Sequence, residues 1–135
     1  MPLKLVVVTP EKKVVDVDTD QVEVPGELGY LGILPGHAPL ISLLKIGVLK
    51  YRAAGGEKAL AISTGFVEVA GDAVSVLADV AEEPGDVDAA AAEKERARAE
   101  EELKTASRET LDGIRARVEL AQARIAVAGG KVTTE

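Results

Sequence analysis

The chain has no cysteine, and only one of its 135 residues is a histidine. Without cysteine there is no disulfide framework, no thiolate metal site and no thiol nucleophile. A single histidine excludes a metal centre built from several imidazoles. These shortages exclude thiol chemistry and metal sites built from thiolates or from several imidazoles.

Aromatic residues, at 2%, are equally scarce, although 47% of the chain is hydrophobic. The core must therefore be built from valine, leucine, isoleucine and alanine. No apolar run reaches the roughly 18 residues that a membrane-spanning helix needs. The first residues hold too short an apolar run for a secretory signal and lack the composition of a transit peptide. We therefore expect a protein that stays inside a cell or organelle.

Positive charge is in deficit, with a formal net charge of −7. Nonspecific binding to nucleic acid requires a basic surface, so no nucleic-acid partner is expected.

Residues 1–84 show short β-branched runs that are separated by turn residues every eight to twelve positions. Residues 3–8 read as a buried strand, and residues 13–24 alternate between apolar and acidic side chains. Alternation places one face of a strand in the core and the other in water. The pattern predicts an all-β sandwich domain over residues 1–84.

The composition changes at residues 82–85, and residues 85–135 are rich in alanine, glutamate and arginine. Such residues favour helices, and either Asp86 or Asp88 is suited to cap the first one. We predict a C-terminal helical hairpin with helices over about 88–105 and 110–127, the second ended by Gly129 and Gly130. Its apolar stripe is narrow, so the hairpin should be held weakly and be able to detach.

Residues 23–49 concentrate glycine and proline between apolar residues. Glycine permits unusual backbone angles and proline restricts them, so this density predicts a rigid, shaped loop between strands. From the residues alone, a corner that only packs the core and a binding surface are equally good interpretations.

No set of residues suited to catalysis emerges from the sequence. His37 has no neighbouring nucleophile, and Ser42, Ser63 and Ser75 lie in no nucleophile-elbow motif. The glycine pairs lack the lysine of a phosphate-binding loop. We therefore predict a protein that is not an enzyme and binds no metal.

The central stretch carries the pattern G-x-L-G-I-L-P-G-H-A-P-L over residues 29–40, followed by L-x-x-G-V-L over residues 44–49. This order and spacing closely resemble the epsilon subunits of bacterial and chloroplast F-type ATP synthases. Residues 62–69 and 74–79 extend the likeness, whereas the helical half is similar by plan more than by residue.

The resemblance implies a non-catalytic subunit of the central stalk, or rotor, that couples proton translocation to ATP synthesis. Its implied partners are the gamma subunit, the ring of c subunits and, through the hairpin, the alpha/beta catalytic head, where the hairpin inhibits ATP hydrolysis. The implied location is peripheral, on the cytoplasmic face of a bacterial inner membrane, with a plastid thylakoid as the alternative. Contact with the membrane would occur only through the complex.

The resemblance also implies particular contact residues. Those for the c ring and stalk are Glu27, Tyr30, Leu31, Gly32 and His37. Those for an acidic loop of the catalytic beta subunit are Arg115, Arg117 and Arg124. Opposite charges on two facing surfaces favour association.

Some members of this family bind ATP through an I/L-D-x-x-R-A motif. The matching residues 87–92 keep Asp88 but have Ala91 at the position of the arginine. A methyl group cannot replace a guanidinium for binding phosphate, although Arg96 or Arg98 could substitute in part. We expect weak regulatory ATP binding if it occurs, through Asp88 and Arg98, and no other cofactor.

Two other functions compete with this interpretation. A free-standing β-sandwich binding module with a dimerising helical tail would need a deep pocket lined by aromatic residues, which the composition does not favour. A small hydrolase would need a paired nucleophile and base, and the sequence offers none.

Overall fold

The chain folds into ten β-strands followed by two α-helices, in a computed structural model that describes residues 2–129. The strands are β1 (Leu3–Val8), β2 (Lys13–Thr19), β3 (Val22–Gly26), β4 (Gly29–Ile33), β5 (Leu40–Leu44), β6 (Gly47–Ala53), β7 (Gly56–Ile62), β8 (Gly65–Ala70), β9 (Ala73–Ala78) and β10 (Ala81–Glu82). A 3-10 turn (Pro84–Asp86) then leads to α1 (Ala89–Leu103) and α2 (Leu111–Gly129). The predicted order of a β half and a helical half is confirmed.

The strands form one sheet in the order β10-β7-β6-β3-β5-β8-β9-β1-β2, and β4 pairs with β3 off this path. Neighbours are antiparallel except for β1 and β9, which are parallel. The sheet folds over so that side chains from every strand enter one core. The Thr19 hydroxyl on the outermost strand donates to the Arg52 carbonyl oxygen on β6 at 2.5 Å, which ties the two layers together.

The core is aliphatic, as the composition predicts. Along β1, for example, Leu3, Leu5 and Val7 are fully buried while the residues between them are not. Among the described residues Tyr51 is the one buried aromatic side chain. Alternating burial of this kind is the signature of a strand with one face on a hydrophobic core.

Two parts of the β half differ from the sequence prediction. The run over residues 13–24 is split between β2 and β3, because the chain bends at Asp20, where the Thr19 hydroxyl accepts a hydrogen bond from the Gln21 N–H. The expected loop over residues 23–49 contains the hairpin of β3 and β4 and the strand β5. Glycine makes the hairpin possible, since a Cβ on Gly26 would lie 2.7 Å from the Gly29 carbonyl oxygen.

The helices begin close to their predicted positions. The Asp88 carboxylate accepts a hydrogen bond from the Ala91 N–H at 3.0 Å and caps α1, as predicted. Asp86 closes the preceding turn by accepting from the Glu83 N–H at 3.2 Å. α2 extends two residues beyond the predicted Val127, and the predicted terminator Gly130 lies outside the described residues.

The hairpin packs through small side chains. Ala92 and Ala99 are the buried residues of α1, and α2 buries Ile114, Ala121, Ala123 and Val127. Ala123 and Val127 meet Val48 and Ala61 of the sandwich in a small second cluster, the aliphatic seam. Few methyl groups meet there, so little apolar area stabilises the docked hairpin.

Candidate interaction surfaces

The tip of the β3–β4 hairpin is a two-residue turn formed by Glu27 and Leu28. The Glu27 N–H donates to the Leu43 carbonyl oxygen at 3.0 Å, while the residue as a whole remains exposed. Leu28 is 101% exposed. A fixed turn thus presents one carboxylate and one bare leucine side chain, and sequence reasoning had selected only the carboxylate.

Tyr30 braces this hairpin against the sheet. Its hydroxyl accepts a hydrogen bond from the Val48 N–H at 3.3 Å, and 37% of the residue stays exposed. The fit is close, since a Cβ on Gly47 would lie 2.9 Å from both the Tyr30 hydroxyl and the Pro25 side chain. The polar end of Tyr30 is therefore engaged inside the chain, and only part of its ring can meet a partner.

The next two predicted contact residues differ in exposure. Leu31 is partly buried and packs against the main core, whereas Gly32 is exposed. Leu31 therefore stabilises the strand from within, and Gly32 lies on the outer surface.

His37 ends a tight turn after β4. Its N–H donates to the Leu34 carbonyl oxygen at 3.1 Å, with Pro35 and Gly36 between them and Gly36 at φ +87°. Proline followed by glycine at positive φ is the pattern of a type II turn. The His37 Nδ1 lies 2.7 Å from the Ala38 carbonyl oxygen, so that nitrogen carries the proton and donates. The ring is held by its own loop.

The exposed face of the sandwich carries three large apolar residues in a row. Leu43 on β5 is paired with Phe66 on β8, which is paired with Leu77 on β9. They are 59%, 41% and 43% exposed, and we call them the apolar stripe. Ile41, two residues along β5 from Leu43, is 71% exposed. Contiguous exposed apolar surface on a small protein marks an interaction site.

Two grooves flank Phe66 and continue the apolar stripe. One, of about 750 Å³, runs between the end of β5 and α2, where Lys45 and Glu119 line it. The other, of about 450 Å³, runs beside Leu77. The sequence contained one signal for this surface: in the strand over residues 73–78, Val74 and Val76 predict the buried face, which places Leu77 on the opposite face.

Two of the three predicted arginines of α2, Arg117 and Arg124, are bound within the chain. Arg117 reaches α1, where it donates to Glu95 at 2.6 Å and to Glu102 at 2.9 Å. The hydrogen bonds to Glu102 and then Glu95 raise the pKa of Arg117, and the same hydrogen bond from Arg117 lowers the pKa of Glu102. These bonds hold the hairpin closed.

Arg124 makes the corresponding bond to the sandwich. Its Nε donates to one Glu82 oxygen at 2.6 Å and its Nη2 to the other at 3.3 Å. Arg115 is exposed. The structure thus separates three arginines that the sequence placed in one group.

The stretch that resembles the ATP motif lines a narrow acidic groove. Four carboxylates line it, those of Glu82, Asp86, Asp88 and Glu95, together with Ala91 and Arg124. The Asp88 carboxylate is occupied as a helix cap, and Arg98 is exposed and does not line the groove. The structure does not bring Asp88 and Arg98 together in one pocket.

Residues 2–129 hold no group of three or more histidine, aspartate or glutamate side chains that could hold a metal ion. No helix within that range is long and apolar enough to cross a membrane.

Comparison with a family model and with individual known proteins indicates the same family. A sequence model of the "ATP synthase, Delta/Epsilon chain, beta-sandwich domain" matches residues 2–84. The chain is 51% identical over 80 residues to the ATP synthase epsilon chain of Solibacter usitatus, and 53% identical over 76 residues to that of Koribacter versatilis. The matches cover 59% and 56% of this chain. They cover 60% and 54% of those proteins, so the chain spans less than two thirds of the relatives it matches.

Solved structures extend the likeness of fold to the helices. A chain of the Euglena gracilis mitochondrial ATP synthase, solved as OSCP/F1/c-ring, superposes with a TM-score of 0.80 at 18% identity. That superposition covers 90% of this chain and 78% of the other. A chain of the Tetrahymena thermophila mitochondrial ATP synthase central stalk and c-ring gives a TM-score of 0.54 at 15% identity, covering 64% and 69%. With the sandwich matched in sequence and the whole architecture matched in fold, this chain belongs to the delta/epsilon chain family of ATP synthases.

Proposed function

We propose that this protein is a non-catalytic central-stalk subunit of an F-type ATP synthase, of the epsilon type. In this role it links proton translocation to ATP synthesis by joining the rotor's parts. The observation that carries the proposal is the apolar stripe, which adjoins a rigid hairpin tip on a sandwich of this family. A rigid body with two exposed docking features is suited to transmit torque and needs no catalytic residue.

The two features fit two partners. The apolar stripe offers a flat, partly grooved apolar face of the kind that packs against a protein partner, and we assign it to the gamma subunit. The hairpin tip offers Glu27, Leu28 and the outer surface of Gly32, and His37 lies on the next turn. We assign this end to the c ring, with Tyr30 and Leu31 supporting it from within.

The helical hairpin would act on the catalytic head. Arg115 is exposed and available for an acidic partner in the docked state. Arg117 and Arg124 would become available only after their internal bonds break. We propose that the hairpin inhibits ATP hydrolysis after it leaves the sandwich, a change between two discrete arrangements.

No observation favours the alternative of a binding module with a dimerising tail. The apolar residues of α2 are already buried or half-buried within the chain, including Ile114 and Val127. A dimerising tail would need a row of uncovered apolar side chains along the helix to pair with a second copy.

Weak ATP binding stays a proposal for the groove beside Asp88. Its four carboxylates would repel a triphosphate, which supports low affinity. We also propose a peripheral position on the cytoplasmic face of a bacterial inner membrane, held there through the rotor partners.

The experiment that tests the function is ATP hydrolysis by a reconstituted catalytic head with gamma. It is run with the full chain, with residues 1–84, and without addition. We expect the full chain to suppress turnover and the fragment to bind without suppressing it. Binding by neither would overturn the proposal.

A matched pair of variants tests the gamma face. Phe66→Ser removes the centre of the apolar stripe and should weaken binding to gamma at least about tenfold, as for a central interface aromatic. Asp72→Asn changes an exposed side chain in the β8–β9 turn that lines neither groove, and it should not weaken this binding. Equal affinities for the two variants would show that gamma binds elsewhere.

A further inference from the structure

Arg117 and Arg124 lie two turns apart on α2 but connect it to different parts of the chain. Arg117 joins α2 to α1, across 22 and 15 residues of sequence. Arg124 joins α2 to Glu82 at the end of the sandwich, across 42 residues. The first bond can persist while the hairpin moves as a unit, whereas the second must break for the hairpin to leave.

We propose that the Arg124–Glu82 pair is the latch that keeps the hairpin on the sandwich, while Arg117 keeps the hairpin itself closed. The regulatory meaning of this latch rests on the proposed function, but the docking it controls does not.

The contacts around the pair support this division. Apart from the latch, an aliphatic contact between the hairpin and the strands is the aliphatic seam of Val48, Ala61, Ala123 and Val127, against which two partly buried alanines, Ala59 and Ala126, pack. An interface with so few methyl groups gains little free energy from burial of apolar surface. A single ion pair with good geometry can therefore contribute a large share of the free energy of docking. The aliphatic seam positions α2, and the latch adds an ion pair in which another carboxylate can replace Glu82.

The geometry of the latch is specific. Two nitrogens of Arg124 bind the two oxygens of Glu82, and both side chains are about two-thirds shielded, at 31% and 26% exposure. A two-point bond between a planar guanidinium and a carboxylate is stronger and more directional than a single contact. Because Glu82 occupies the Nε and Nη2 side of the guanidinium, a partner's carboxylate can take that side only after Glu82 has left it.

The surroundings of the latch favour a cation. Asp86, Asp88 and Glu95 line the same groove, and Arg124 is the one cationic side chain among its described lining residues. Their negative charges add to the attraction of Glu82, and salt should weaken the sum. Any acidic partner that attracts Arg124 away from this groove would release the hairpin.

The test measures docking in the isolated full-length chain. The chain has no cysteine, so nitroxide labels attach only at introduced positions. Ala54→Cys in the β6–β7 turn and Gln122→Cys on α2 are both exposed and uncharged. Pulsed electron paramagnetic resonance then gives the distance distribution between sandwich and hairpin, from which the docked and released fractions are read.

We expect Arg124→Gln and Glu82→Gln each to lower the ratio of docked to released molecules about fivefold, within the range for a partly exposed ion pair. The charge exchange Glu82→Arg with Arg124→Glu should restore docking in part. Raising salt from about 0.02 to about 1 M should release the native hairpin and change Arg124→Gln much less.

Two matched arginines complete the design. Arg115→Gln should leave docking unchanged, and Arg117→Gln, which removes bonds between α1 and α2 only, should have little effect on docking. Unchanged docking in Arg124→Gln with its sandwich amide spectrum intact would overturn the latch, as would an equal loss in Arg117→Gln. Either result would leave the stalk assignment untouched, because hydrolysis and gamma binding test that separately.

Discussion

At the scale of single residues, the structure separates side chains that shape the contact surface from side chains that form it. Tyr30 and Leu28 lie two positions apart, yet one braces the hairpin and the other is bare. We therefore expect substitution of Tyr30 to lower the stability of the fold and substitution of Leu28 to leave it unchanged.

Tyr30→Phe should lower the free energy of unfolding by about 1 kcal/mol, because the Val48 N–H loses its acceptor. Urea denaturation of the variant measures this. Leu28→Ala is the control and should leave the midpoint unchanged, since that side chain is fully exposed. A loss of stability in Leu28→Ala, with none in Tyr30→Phe, would reverse our assignment of the two roles.

Gly65→Ala should lower the free energy of unfolding more, by about 2 kcal/mol or more. The added Cβ would lie 1.8 Å from the Leu77 carbonyl oxygen, so the backbone of β8 or β9 would have to move. Thermal unfolding followed by circular dichroism is a suitable measurement. A Cβ added to Gly32 would meet nothing within 4 Å, so Gly32→Ala should be neutral, which also makes it a suitable variant for testing the proposed c-ring contact.

At the scale of elements, the strands and helices that could be predicted are those with a pattern in their own stretch of sequence. The β-branched apolar run of β1 and the Asp88 cap of α1 are local patterns, so they could be seen in the sequence. The pairing of Leu43, Phe66 and Leu77 could not, because it depends on the register between strands far apart in the chain. For the same reason, the partners of Arg117 and Arg124 emerged only from the fold.

The hairpin should also weaken in acid, through Glu102. Arg117 holds the pKa of this carboxyl below its usual 4.5. A lowered pKa in the folded state means that the contribution is complete above about 4.5 and is lost as pH falls through the lower folded value. Hydrogen exchange of α1 amides against pH measures this step. Glu102→Gln should remove it, and a step of unchanged size in that variant would assign it to another group.

At the scale of the whole molecule, the core belongs to the β half alone. Every member of the main core cluster comes before residue 82. We therefore expect residues 1–84 to fold cooperatively without the helices, with a modest loss of stability because Val48 and Ala61 lose their cover. Calorimetry of the fragment beside the full chain gives the comparison, and a fragment without a cooperative transition would refute the expectation.

The parallel pairing of β1 with β9 has a consequence for how the protein is made. β1 lies between β2 and β9, with Leu5 beside Val74. A ribosome therefore releases the first strand long before one of its two neighbours exists. During that interval one edge of an apolar strand is open, and its sheet can be completed only when nearly the whole β half has emerged. During synthesis of this protein, one edge of β1 therefore stays unpaired until β9 has emerged, because the two strands lie far apart in the sequence.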